Sequence, residues 1–208
     1  MLQAFHYFPS VIYREEHPEW VTRTLALSNT YLADTNEFHK DNPLPRTFPV
    51  TQTATMHNDP EFEFLWGHVL RTSQDIMRSE RYLVDKYRFY MQGMWLQDIG
   101  TYGGQPAHTH KNSQICALFF LDTPEGGSYP VFEDPRTGKH MVELDAEVSN
   151  NEVYPANRQV HFPNVIPGTL LYFSSWLSHL ITLNASDSNT RLIHFVVSAT
   201  DRNNSCNM

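Results

Sequence analysis

The chain predicts a mostly β jelly roll, an antiparallel double sheet braced on one outer face by two or more N-terminal helices. Three observations carry that prediction. Helical periodicity is confined to the first third, short strand-forming runs follow from Tyr87 onward, and clusters of Gly, Pro, Asn, Asp and Ser separate those runs. With 208 residues, 40% of them hydrophobic, the chain is long enough for one domain with its own core. A single domain over residues 1–208 is therefore expected, with a helical part at 1–88 and a β core over about 89–200.

The first helix is expected from Pro18 to Leu32. Pro18 suits an early helical position, and Trp20, Thr24, Leu27 and Tyr31 recur at helical spacing beside Val21, Leu25 and Leu32. Residues 34–57 are polar and rich in proline, which reads as a loop with one short strand. Asp59 then offers a cap and Pro60 a first turn. A second, longer helix follows, its stripe running through Leu65, Val69, Ile76, Leu83 and Tyr87. Strands are expected in YRFYMQGMWLQDI after Tyr87, then at 114–121, 129–133, 159–162, 169–174, 179–183 and 191–198. The turn signals between them include PEGG at 124–127, PG at 167–168 and NASDSN at 184–189. Residues 139–155 alternate acidic and apolar, which suits a hairpin or a lid.

Charge and composition exclude several function classes. The formal net charge is -8, and no run of Lys or Arg interrupts it, which argues against nucleic acid as a partner. No stretch reaches the roughly 18 apolar residues of a membrane helix, and the start lacks the regions of a signal peptide. A soluble cytoplasmic protein with no membrane partner is the expectation. Only Cys116 and Cys206 occur, outside any CxxC, so disulfide scaffolds and cysteine zinc sites explain little. The chain instead holds 11 histidines.

His108 and His110 stand two apart in PAHTHKNS, just before a strand. In extended backbone, residues i and i+2 share a face, so two imidazoles can converge on one ion. His179 lies far away in sequence, but a jelly roll brings strand ends together at one mouth. Two histidines from separate strands plus a third N or O ligand leave open positions suited to Fe(II), Mn(II) or a similar ion. Three residues compete for the third place: His110 from the same segment, Asp134 in FEDPR, which brings negative charge, and Gln114 as a weaker neutral donor. Asp134 also reads as a turn starter before proline. Arg191 follows His179 by twelve positions and opens the last strand, where a guanidinium fork can bind a carboxylate bidentately. Tyr172 and Gln97 can add hydrogen bonds to that carboxylate.

The order HTH, then ALFFLDTPEGGSYPVFEDPR, then PGTLLYFSSWLSHLITLNASDSNTRLIHFVVS resembles the 2-oxoglutarate-Fe(II) oxygenases found in bacteria and their phages, a prolyl-hydroxylase-like group. The likeness covers roughly residues 92–198, and its most specific block is 167–198. It implies a double-stranded β-helix, Fe(II) and 2-oxoglutarate as cofactors, and O2 as co-substrate. It makes His179 the distal iron ligand, His108 or His110 the proximal one, and Arg191 the partner of the far carboxylate of 2-oxoglutarate. The superfamily's acid position two after the first histidine is filled here by His110. Either the site is three-His or Asp134 supplies the oxygen ligand. The implied reaction releases succinate and CO2 and hydroxylates a small-molecule or peptidyl substrate, in the host cytoplasm if the protein is phage-encoded. Nothing in the sequence opposes an oligomer.

Two rivals remain at this point. HTHKNSQ also resembles the cupin H-x-H-x-x-x-Glu motif with Gln114 in the acid place, which would mean a metal enzyme without 2-oxoglutarate. Against it, His179 stands eleven residues after Gly168, much further than a cupin places its last histidine. The other rival is a non-catalytic jelly-roll structural or binding module with incidental histidines.

Overall fold

The computed structural model describes residues 9–43, 49–136, 138, 141 and 157–204. Strand β1 spans Ile12–Glu16 and leads directly into helix α1, Pro18–Asp41. Pro18 sits at the first helical turn with Glu19 beside it, where a negative charge favours the helix dipole. The helix runs past the expected Leu32 through polar residues and stops at Asn42, whose backbone N–H and side-chain amide both donate to the Phe38 carbonyl. Strand β2 is Val50–Gln52. A single 3-10 turn at Pro60–Phe62, capped by the Asp59 carboxylate accepting from the Glu61 N–H at 2.9 Å, opens helix α2, Glu63–Ser79. The helix ends well before the expected Tyr87. Arg81 takes a left-handed backbone with φ 71°, and Leu83 is exposed rather than part of the buried stripe.

The remaining strands are β3 Tyr87–Ile99, β4 Gln105–His108, β5 Ile115–Asp122, β6 Pro130–Glu133, β7 Gln159–His161, β8 Thr169–Ser174, β9 His179–Ile181 and β10 Thr190–Asp201. They form two antiparallel sheets. The larger has the order β1-β8-β5-β10-β3-β2 and the smaller β4-β9-β6-β7. The expected jelly roll with helices on one outer face is therefore the observed architecture, with β1 as an additional edge strand. The segment 139–155, expected as a hairpin or lid, lies outside the described residues apart from Met141.

The large sheet is buried on both faces, which explains why β5, β8 and β10 read as continuous apolar runs. Alternation along each strand divides their side chains between two cores. Phe120, Phe173, Leu192 and Val196 point between the sheets with Phe132 and Ile181. Phe119, Tyr172, Ile193 and Phe195 point the other way, against Leu65 and Val69 of α2. Which core a residue joins decides whether it reaches the interior of the β-helix.

The turn before β8 clamps the start of the chain to the sheet. Gly168 has φ 99°, a Cβ there would meet the Pro18 nitrogen at 2.6 Å, and its carbonyl accepts from the His17 N–H at 2.8 Å. Gly168→Ala is expected to cost at least about 2 kcal/mol from strain and overpacking together. That is a fall in Tm of roughly 4–8 °C for a chain of this size. An unchanged melting curve would show that the junction between β1 and α1 yields freely.

Candidate metal centre

Antiparallel pairing of β4 with β9 sets His108 directly opposite His179 in the small sheet. Beyond β4 the chain is held by the His110 N–H donating to the Ser175 carbonyl at 3.0 Å, which brings the third imidazole to the same mouth. The ring centroids lie 4.3 Å apart for His108 and His179, 5.0 Å for His108 and His110, and 5.5 Å for His110 and His179. One ligating nitrogen of each falls within 4.8 Å of the other two.

The hydrogen bonds fix which nitrogen is free. His108 Nδ1 lies 2.9 Å from the Pro106 carbonyl and His179 Nδ1 lies 3.0 Å from the Leu177 carbonyl. A carbonyl only accepts, so each Nδ1 carries the proton and each Nε2 keeps its lone pair. The Nε2 atoms of His108, His110 and His179 are all buried without a hydrogen-bond partner. Burying three such acceptors costs free energy unless something binds them. Burial, reinforced by mutual repulsion within the cluster, lowers His110 to about 4 and His179 to about 3, so both are neutral ligands at physiological pH.

Those shifts set a pH dependence for the metal-free protein. Between about pH 6.5 and pH 4 the unfolded chain holds protons that native His110 and His179 refuse, so lowering the pH through that window favours unfolding. His194, fully buried and lowered by the same causes, acts in the same sense. The urea midpoint is expected to hold level above pH 6.5 and fall steadily beneath it. A midpoint that is flat down to pH 4.5 would mean the cluster opens without cost.

The other expected site residues are distributed differently. The Asp134 carboxylate accepts from Arg136 Nε at 2.9 Å and Nη2 at 2.6 Å, and it is not part of the three-histidine group. Gln114 Oε1 is buried without a partner. Gln97 is buried on the inward face of β3, its amide nitrogen donating to Gln105 Oε1 at 3.0 Å. Tyr172 turns outward, and Arg191 is held by acidic neighbours at the start of β10. Arg191 pairs in register with Asp98 and binds its carboxylate at 2.8 Å, with Asp122 at 3.7 Å. Toward β5 the register shifts between Arg191 and Leu192, so the alternation that orders the rest of β10 does not extend to Arg191. The Tyr172 hydroxyl donates to Glu15 at 2.6 Å, on the helix side, whereas its neighbour Phe173 packs edge-on against His179 at 4.6 Å. Tyr172 is thus engaged by Glu15 and Arg191 by Asp98 in this arrangement.

Two residues missed in the sequence stand in the site. His194, at the centre of β10, has its ring 4.8 Å from His110 and 5.9 Å from His179, and both its nitrogens are buried without partners. Trp95 on β3 stacks on it at 4.6 Å, with its indole N–H equally unpaired. Their only sequence signal is two polar-tipped rings on the inward parity of otherwise apolar strands. Cys116 closes a group with His110 and His194, but burial pushes its thiol far up, so it stays protonated and is a poor ligand.

A double-stranded β-helix with a histidine cluster at its mouth is an arrangement found in non-haem iron oxygenases. Structural comparison finds the same fold. The non-haem α-ketoglutarate-dependent epimerase SnoN of nogalamycin biosynthesis aligns with TM-score 0.59 at 13% identity, over 93% of this chain and 81% of its own. A Pseudomonas putida prolyl-4-hydroxylase aligns with TM-score 0.57 at 11% identity, over 93% and 94%. The viral collagen prolyl hydroxylase of Paramecium bursaria Chlorella virus-1, in complex with 2-oxoglutarate, aligns with TM-score 0.53 at 12% identity, over 91% and 96%. No curated protein sequence matches the chain. Residues 93–195 match the family model described as "Putative 2OG-Fe(II) oxygenase", and the chain belongs to that family. It is a 2-oxoglutarate-dependent dioxygenase, with Fe(II) and 2-oxoglutarate as cofactors. No helix among the described residues is long and apolar enough to cross a membrane.

Proposed function

We propose that His108, His110 and His179 together hold the iron, and that the enzyme hydroxylates a C–H bond of a peptidyl or small-molecule substrate. The observation that carries this reading is the convergence of three buried, unpartnered Nε2 atoms. Neutral imidazoles fit Fe(II), and three of them leave coordination positions open. With three imidazole ligands, no protein carboxylate offsets the charge of the ion, a task left to the dianionic cofactor. The named neighbours, prolyl hydroxylases and an epimerase of a small molecule, support the substrate class.

Bound together, iron and 2-oxoglutarate supply oxidative decarboxylation to succinate and CO2 and an oxidant for the substrate C–H bond. The chain's own residues do the rest. The cofactor is placed in the interior beside the histidines, where the unpaired N–H of Trp95 and the neutral ring of His194 can donate to it. Flipping the Gln97 and Gln105 amides together keeps their mutual bond and turns a Gln97 N–H inward as a further donor. Phe132 and Phe173, packed around His179, exclude water from the ligands. In this reading Arg191 and Tyr172 brace the wall from outside. Arg191→Gln is then expected to lower stability by about 1–2 kcal/mol, by leaving partly buried Asp98 without its cation, and to leave 2-oxoglutarate affinity within about threefold. A loss of affinity beyond tenfold would return Arg191 to the cofactor.

The test of function is anaerobic titration with Fe(II) and 2-oxoglutarate, followed by the visible charge-transfer band, and then oxygen-dependent formation of succinate. Candidate peptides and small molecules are screened for a mass gain of one oxygen atom. Iron binding with no band and no succinate would overturn the proposal.

A further inference from the structure

A second convergence of ligating groups lies on the helix side of the large sheet, away from the three histidines. It joins Glu15 of β1, His17 at the junction with α1, and His68 of α2, and one ligating atom of each falls within 4.8 Å of the others. The Glu15 carboxylate is anchored on one oxygen, which accepts from the Tyr172 hydroxyl at 2.6 Å and from His68 Nε2 at 2.7 Å. Burial pushes this carboxyl up, but the bonds from Tyr172 and His68 outweigh it and hold the group below its usual range. Glu15 is therefore ionised.

His17 is oriented as metal ligands are. Its Nδ1 lies 3.0 Å from Glu19 Oε1, and a carboxylate only accepts, so Nδ1 carries the proton. Trp20 stacks on the ring at 3.8 Å and His68 meets it edge-on at 4.9 Å. Its Nε2 is buried, makes no hydrogen bond and faces the second oxygen of Glu15 at 3.4 Å. A proton on Nε2 or a metal ion between the two atoms makes that approach attractive, and a metal ion can also engage His68. Two imidazoles and one carboxylate are the donor set of many zinc sites.

We propose that Glu15, His17 and His68 form a second metal site, which takes Zn2+ or a similar borderline divalent ion and fastens β1 and both helices to the large sheet. On binding, the ion displaces the proton that His68 Nε2 donates to Glu15, and that proton leaves to solvent. The site is separate from the oxygenase centre and stands whether or not the oxygenase reading holds.

The test is to titrate the metal-free full chain with Zn2+ against a chromophoric chelator near neutral pH and count tight equivalents. Wild type is expected to take two, His179→Ala one, His68→Gln one, and the double variant none. Glutamine at 68 can still donate to Glu15, and Glu15→Gln, which keeps a partner for Tyr172, serves as a second variant should the first fold poorly. Zn2+ is also expected to raise the Tm of His179→Ala and to leave that of His179→Ala/Glu15→Gln unmoved. A count that stays at two in His68→Gln and Glu15→Gln would overturn the proposal. So would a single wild-type equivalent that His179→Ala removes.

Discussion

His179→Ala is expected to weaken Fe(II) binding by at least about 100-fold and to abolish the 2-oxoglutarate charge-transfer band with it. The substitution removes one of the three nitrogens proposed to share the ion, and the alanine offers no donor in its place. His110→Ala is expected to behave alike, because the His110 Nε2 is the third unpartnered acceptor. Asp134→Ala, in contrast, is expected to leave iron affinity unchanged, since that carboxylate is occupied by Arg136. Anaerobic titrations of the three variants distinguish a three-histidine centre from one completed by a carboxylate. A large loss in Asp134→Ala with little loss in His110→Ala would reverse the assignment.

His194→Leu is expected to lower 2-oxoglutarate affinity by roughly 10–100-fold while leaving the fold as stable as before or more so. A hydrogen bond to a charged group is worth about 1.5–3 kcal/mol, which sets that range. The two signs come from one observation. Both nitrogens of this fully buried ring lack partners, so an apolar side chain of similar volume removes an uncompensated polar group from the core. A residue kept only for packing would give the gain in stability with no change in affinity. Measuring the urea midpoint and the strength of the charge-transfer band on the same variant separates the two roles.

Most of the β core was legible because its strands are bounded by strong turn chemistry. Thr169–Ser174 follows a Pro-Gly pair and coincides with the expected run. His108 and His110 were legible as a pair because residues i and i+2 share a face in extended backbone, and His179 joined them because a jelly roll brings strand ends to one mouth. The facing of side chains was not. In β8 and β10 both faces are buried, so apolar periodicity carries no parity, and Tyr172 and Arg191 could be placed on a strand but not on a side. The same blindness hid His194. At the other end of the chain, β1 (IYREE) is too charged to resemble a strand, and it becomes one because β8 offers it an edge. Helix α1 outran its apolar stripe for a similar reason, since its last turns are polar and close through Asn42 rather than through packing.

The pairing of β1 with β8 has a consequence for synthesis. Residues 12–16 leave the ribosome early, yet their partners at 169–173 emerge only when most of the chain has been made, and β3 must wait for residues up to 201. Contacts of such long sequence separation form slowly and close late. His179 is the last of the three proposed iron ligands to be translated, and the strand that holds its neighbours in place follows it. With that ligand set, iron is expected to be acquired by the finished chain and not by the nascent one, and growth in limiting iron to accumulate folded apoprotein rather than truncated or misfolded product.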